Sequence, residues 1–183
     1  MFCTEPSDDR EWATTNLDLL QMLRDESGSM LVSVLGASPD CIKLIELDGT
    51  LSFMNENGQT AMEIEDPKAI CGLKWSSMWP EDTRRHVYDA VAAAIAGNAQ
   101  RFEARCPTAK GNDRWWDVSV APITAGDGKV SRLLSISRDV THRVRQTEAL
   151  QEREAELERL AWNRAQHLKQ LRSQIFCEQP LKS

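Results

Sequence analysis

Three histidines and five cysteines are the residues best equipped to bind a metal, attack an electrophile or move a proton in this chain of 183 residues. The cysteines, Cys3, Cys41, Cys71, Cys106 and Cys177, are scattered with no CxxC pair. That spacing suggests neither a zinc knuckle nor a disulfide ladder, and it predicts reduced, mostly buried thiols. No cysteine stands with a histidine at motif spacing, and GxSxG, P-loop and HExxH patterns are absent. His167, in Arg164-Ala-Gln-His-Leu-Lys169, lacks the acidic and proline-bearing surroundings of a phospho-accepting histidine and reads as a helix-surface residue. No catalytic constellation emerges, so a non-enzymatic chain is predicted. The other chemical oddity is six tryptophans against one tyrosine. Three of them sit close together where a pocket would form, which predicts a stiff, aromatic-lined core.

These side chains must be positioned by a chain long enough for one domain plus helical arms. A formal net charge of -6 and a pI near 5.2 repel a phosphate backbone, and no clustered Lys/Arg stripe appears, so nucleic-acid binding is not expected. No apolar run approaches the roughly 20 residues that span a bilayer. The opening MFCTEPSDDREW has neither a basic nor an apolar leader region, so a cytoplasmic protein without membrane contact is predicted.

From Asp9 to about Arg24, Trp12, Leu19, Leu20 and Leu23 share one face at helical spacing and predict a short amphipathic N-terminal helix. After the apolar stretch Met30–Leu35, Pro39 blocks helix continuation and starts the core. Alternation in Cys41–Leu47 and Thr50–Met54 about Asp48-Gly49 predicts a β-hairpin with a two-residue turn. Gly58, Pro67, Gly72 and Pro80 cut residues 55–80 into single-turn helices. Glu81-Asp82-Thr83 then opens an Ala-rich helix that stops at Gly97-Asn98. Three strand-like runs follow at Gln100–Cys106, Arg114–Ile123 and Val130–Ser137, joined by turns short enough for antiparallel neighbours. The sum is an α+β domain: a five-stranded antiparallel sheet with helices packed on one face.

Beyond Asp139-Val140-Thr141 the sequence to about Phe176 contains no Gly or Pro and predicts one long helix of roughly 50 Å. Leu150, Leu157, Arg164 and Leu171 form one heptad position, and Glu154, Ala161, Leu168 and Ile175 its partner, giving a seam about four heptads long interrupted by two charges. Such a stripe needs a partner, and self-association into a homodimer is predicted.

The order of these elements, with Ser38-Pro39-Asp40, Asp48-Gly49, Phe53-Met54-Asn55, Cys71-Gly72, Trp79-Pro80-Glu81-Asp82, Trp115-Trp116-Asp117-Val118-Ser119 with Pro122-Ile123, Gly128-Lys129-Val130 and the closing Ser137-Arg138-Asp139-Val140-Thr141, resembles a PAS domain. The resemblance divides the chain into a helical cap at 1–29, a PAS domain at 30–142, a coiled-coil signalling helix at 143–176 and a tail at 177–183, which looks like a natural terminus. It implies a cupped sheet enclosing a pocket, with Phe53, Asn55, Trp75, Trp79, Trp116, Val118 and Ile136 as lining candidates. It also implies relay through Asp139, Val140 and Thr141 into the output helix, and a sensory role exerted on a signalling partner or effector. The alternatives are a ligand-free dimerisation scaffold and the N-terminal sensor piece of a histidine kinase or diguanylate cyclase.

No cofactor is assigned; PAS domains hold flavin, haem, small metabolites or nothing. The reactive-cysteine stretch of light-sensing LOV domains falls on Lys74–Trp79, with Trp75 where the sulfur would stand. The flavin-gripping amides are replaced by Lys74, Asp117 and Ser137 or Arg138. Haem needs an axial ligand, and His86 is the candidate, although it precedes the helix end where haem-binding members carry theirs.

Overall fold

A computed structural model describes residues 29–177, with side-chain burial for 33–174. The N-terminal helix predicted at 9–24 with its Trp12, Leu19, Leu20 and Leu23, and the tail beyond Cys177, lie outside the described residues. The elements are α1 (Ser29–Ala37), β1 (Cys41–Ile45), β2 (Leu51–Met54), α2 (Glu56–Ala61), α3 (Arg84–Ile95), β3 (Gln100–Arg105), β4 (Trp115–Thr124), β5 (Val130–Asp139) and α4 (Thr141–Cys177). Two 3₁₀ turns, Pro67–Ala69 and Trp75–Met78, lie between α2 and α3. The five strands form one sheet in the order β2-β1-β5-β4-β3, antiparallel throughout, so the last strand lies at the centre and feeds directly into α4.

The first hairpin departs from the predicted two-residue turn. The Glu46 N–H donates to the Thr50 carbonyl and the Gly49 N–H to the Glu46 carbonyl, both at 2.8 Å, so the loop is Leu47-Asp48-Gly49. Gly49 takes the left-handed conformation, φ 84°, that a three-residue loop asks of its last member. Asp48 selects this geometry: its carboxylate accepts the Thr50 N–H at 2.9 Å, the Thr50 hydroxyl at 2.8 Å and the Lys74 ammonium at 2.8 Å. The Lys74 bond, followed by those from Thr50, draws the carboxyl down to about 2.

Asn55 organises the entry to the helical segment. Buried at the N-cap of α2, it accepts from the N–H groups of Ile42 at 2.8 Å and Gly58 at 3.1 Å, and donates to the carbonyls of Leu35 and Asp40, both at 3.1 Å. One side chain thereby ties α1, β1 and α2 together. Gly58 packs so closely that a Cβ there would stand 2.5 Å from the Cys41 sulfur and 2.7 Å from Asn55 Oδ1. Above the sheet, Val87, Ala90 and Ala94 of α3 join Trp75, Trp79, Met62 and the inner-face residues Ile45, Leu51, Trp116, Val118, Val120 and Leu133 in one core.

No helix among the described residues is long and apolar enough to cross a membrane.

Candidate functional site

Strand alternation decides which residues reach the concave side. Lys43 stands opposite Ser135, Ile45 opposite Leu133, Val118 opposite Ser137 and Val120 opposite Ser135. Because Ile45, Leu133, Val118 and Val120 are core residues, Lys43, Ser135 and Ser137 face inward with them. Beneath the Trp75–Met78 turn this face encloses a cavity of about 10 Å³, which fits about one water molecule. Lys43 and Ser137 form its floor, Trp75, Trp79 and Trp116 much of its wall, and Met62, Met78 and Cys106 the rest. Trp75 and Trp79 meet edge to face at 6.0 Å, and Trp79 meets Phe102 at 5.6 Å.

The polar groups here are few. Lys43 is only 3 % exposed, and its ammonium donates to Ser137 Oγ at 3.1 Å. The Trp116 indole N–H donates to the Cys106 carbonyl at 2.9 Å. The Cys106 thiol donates to the Met78 carbonyl at 3.2 Å. Burial pushes that thiol up to about 11, against the opposing pull of the nearby Lys43 charge, so it stays protonated at neutral pH.

Trp75, Trp79 and Trp116 therefore line the cavity, and Val118 lies fully buried on the same inner face. Three other pocket candidates require correction. Ile136 alternates with the inward Ser135 and Ser137 and so stands on the outer face, paired across from Ile42. Phe53, opposite Leu44, is half-buried on that same outer side. Asn55 has all of its hydrogen-bonding capacity committed to backbone groups, which makes it a structural clasp. His86 is exposed on α3, with its ring stacked on Phe102 at 5.9 Å, and does not line the cavity. Lys43, Ser137, Cys106, Met62 and Met78 were missed, and the signal available was the parity that puts Lys43 in step with Cys41 and Ile45.

The cavity wall leads directly to the helix junction. Trp116 lines the cavity, and its neighbour Trp115 binds the junction through its backbone: the Trp115 N–H donates to Thr141 Oγ1 at 2.9 Å, and the Val140 N–H to the Trp115 carbonyl at 2.8 Å. Asp139 accepts the Thr141 N–H at 2.9 Å and an Arg114 guanidinium N–H at 2.6 Å. Burial raises the Asp139 carboxyl, but the bonds from Thr141 and the charge of Arg114 outweigh it and hold it below the usual range. An ion pair between Arg143 and Glu103 of β3 adds a further tie. Asp139, Val140 and Thr141 thus form a clamp that fixes the first turn of α4 to the start of β4.

Beyond that clamp α4 runs clear of the domain. Leu150, Leu157, Leu168 and Leu171 are exposed, as is Ala161 on the same seam. The side chain of Ile175 lies outside the described residues.

The interior as packed does not fit a flavin or a haem. Ligand sites of that class need several hundred cubic ångströms, against about 10 Å³ here. Trp75, which the LOV resemblance sets where the photoreactive cysteine would stand, is buried in the core, Cys71 is exposed, Asp117 and Arg138 are engaged in ion pairs with Arg101 and Asp40, and His86 is exposed.

A family model described as PAS fold matches residues 35–145. Among solved structures, the chain is similar to the PAS domain of a protein from Colwellia psychrerythraea, with TM-score 0.56 and 19 % identity over 62 % of this chain and 97 % of that one. It is also similar to a PAS domain of an HTR-like protein from Haloarcula marismortui, with TM-score 0.54 and 20 % identity over 66 % of this chain and 98 % of that one. A third similar structure, an RNA-binding light-oxygen-voltage receptor, gives TM-score 0.61 and 19 % identity over 80 % of this chain but 41 % of that one. No curated protein sequence matches.

Proposed function

Since the chain belongs to the PAS fold family, whose members are generally sensory and non-catalytic, we propose that it is a signal-transduction module that relays the packing state of its Trp-lined interior to α4. In this reading α4 pairs with the same helix of a second copy and passes the signal to a partner or effector. The observation that carries it is the adjacency of Trp116 in the cavity wall and Trp115 in the helix clamp. A shift of the indole moves the strand that holds Val140 and Thr141, and a change at the clamp selects between discrete packings of a helix pair.

Amide hydrogen exchange on a Trp116→Phe variant tests the relay. The variant removes the bond to the Cys106 carbonyl and part of the wall while keeping an aromatic in the core. Exchange is expected to quicken at Val140 and through the first turns of α4, and to stay unchanged in the β1–β2 hairpin. Exchange confined to β4 and the cavity, with α4 unaffected, would overturn the relay. It would favour a scaffold module instead, a reading that the near-filled interior also supports.

Pairing is tested separately by light scattering. The native chain is expected at about twice its 20.6 kDa mass. A Leu157→Asp, Leu168→Asp variant, which puts two charges in the seam, is expected at the mass of one chain. A monomeric native chain removes α4 pairing from the proposal.

A further inference from the structure

We propose that the cavity floor at Lys43 is a binding site for a compact monoanion, of the size of formate or chloride, whose charge completes an otherwise uncompensated ammonium. The inference rests on the reading of this interior as the sensory site and names the class of ligand it takes.

Three observations converge. Lys43 is 3 % exposed, and among the described residues its ammonium has one hydrogen-bond acceptor, Ser137 Oγ, and no carboxylate partner. An ammonium brings three donors, so two are left without an acceptor in a setting where an unpaired buried charge is costly. Directly across the strand pair, Ser135 is fully buried and its hydroxyl has no hydrogen-bond partner at all. The same face therefore carries buried hydrogen-bonding capacity that the protein leaves unused: donors on Lys43, and a donor and acceptor on Ser135. Finally, Lys43 and Ser137 open onto a real void, small but not closed up by side chains.

The neighbouring group best placed to balance the charge does not do so. Cys106 shares the cavity, and burial keeps it a neutral thiol. Trp75, Trp79 and Trp116, all buried, surround the site with apolar surface, which strengthens whatever electrostatic contact forms there. The void of about 10 Å³ fits about one water molecule, so an ion of the size of chloride or formate enters only as the unbranched side chains of Met62 and Met78 move, and anything larger needs a wider opening. The site thus selects first for negative charge and then for small size.

The test is thermal unfolding of the intact chain in sodium formate and in sodium chloride, each against sodium gluconate at equal ionic strength, gluconate being a monoanion too bulky to enter. Native protein is expected to melt about 5 °C higher once the small anion exceeds its Kd tenfold. Lys43→Met, which keeps the stem and removes the charge, is expected to melt identically in all three salts. Formate active without chloride assigns a carboxylate ligand, and the two active together assign a monoanion selected by size. Equal melting of the native chain in every salt, or a formate effect that survives in Lys43→Met, overturns the proposal.

Should Lys43→Met not fold, the ε-carbon NMR shift of Lys43 in the native chain decides: an ammonium in formate supports the site, and a neutral amine there overturns it. Loss of the anion site with the α4 exchange response to Trp116→Phe intact refutes this inference alone. Loss of that response refutes the relay.

Discussion

Truncating Trp116 to alanine is expected to cost the domain about 4 kcal/mol, a large share of the 5–15 kcal/mol typical of a whole domain. The indole is 2 % exposed, packs in the main core and satisfies the Cys106 carbonyl at 2.9 Å. Its removal loses apolar burial, leaves a void that surrounding rings cannot collapse into, and strands a buried acceptor. Urea unfolding monitored by circular dichroism measures this directly, as a lower midpoint at unchanged slope. Trp162 provides the control, because it is 65 % exposed and off the seam. Trp162→Ala is expected to stay within about 0.5 kcal/mol of the native chain. A loss below about 1 kcal/mol for Trp116→Ala would mean that the wall carries little of the core.

Asn55→Ala is expected to cost about 2–4 kcal/mol through stranded hydrogen bonds and very little lost packing. Four backbone groups lose their partner at once, from Ile42, Gly58, Leu35 and Asp40. A melting point lower by roughly 10 °C or more follows for a domain of this size. Asn55→Asp separates the two halves of the clasp. It keeps the acceptor for Ile42 and Gly58 but presses a carboxylate against the Leu35 and Asp40 carbonyls, so it does not rescue at neutral pH. Recovery by aspartate would show that only the accepting half matters.

The strands were legible because turn chemistry brackets them and the core residues of β4 alternate cleanly through Trp116, Val118 and Val120. The short helices were legible from their Gly and Pro punctuation. What misled was the polarity of the sheet's two faces. On β1 and β5 the apolar Ile42, Leu44, Leu134 and Ile136 stand on the outer side, while Lys43, Ser135 and Ser137 turn inward. Alternation of hydrophobicity specifies a period of two but not which phase faces the core, and here both faces carry apolar residues: Cys41, Ile45 and Leu133 point inward alongside Lys43, Ser135 and Ser137. Ile136 and Phe53, which the PAS resemblance and strand position put in the pocket, stand on the outer side, and the apolar residues on both faces give no sequence signal that Lys43 turns inward. Asn55 was a different kind of error. A polar residue after a strand is equally consistent with a ligand contact and a cap, and only the positions of Leu35 and Asp40, distant in sequence, decide between them.

The clamp at Asp139–Thr141 sets one end of a helix of 37 residues, about 55 Å long at 1.5 Å per residue. Seen mechanically, it is a short fulcrum under a long lever arm. A tilt of only about 5° at the fulcrum carries the far tip about 5 Å, close to one helical turn. On the proposed relay, a tilt of that size moves the helix tip with no large rearrangement inside the domain. The gain of such a relay is the length of its helix, and shortening α4 by whole heptads lowers the amplitude at the tip in proportion.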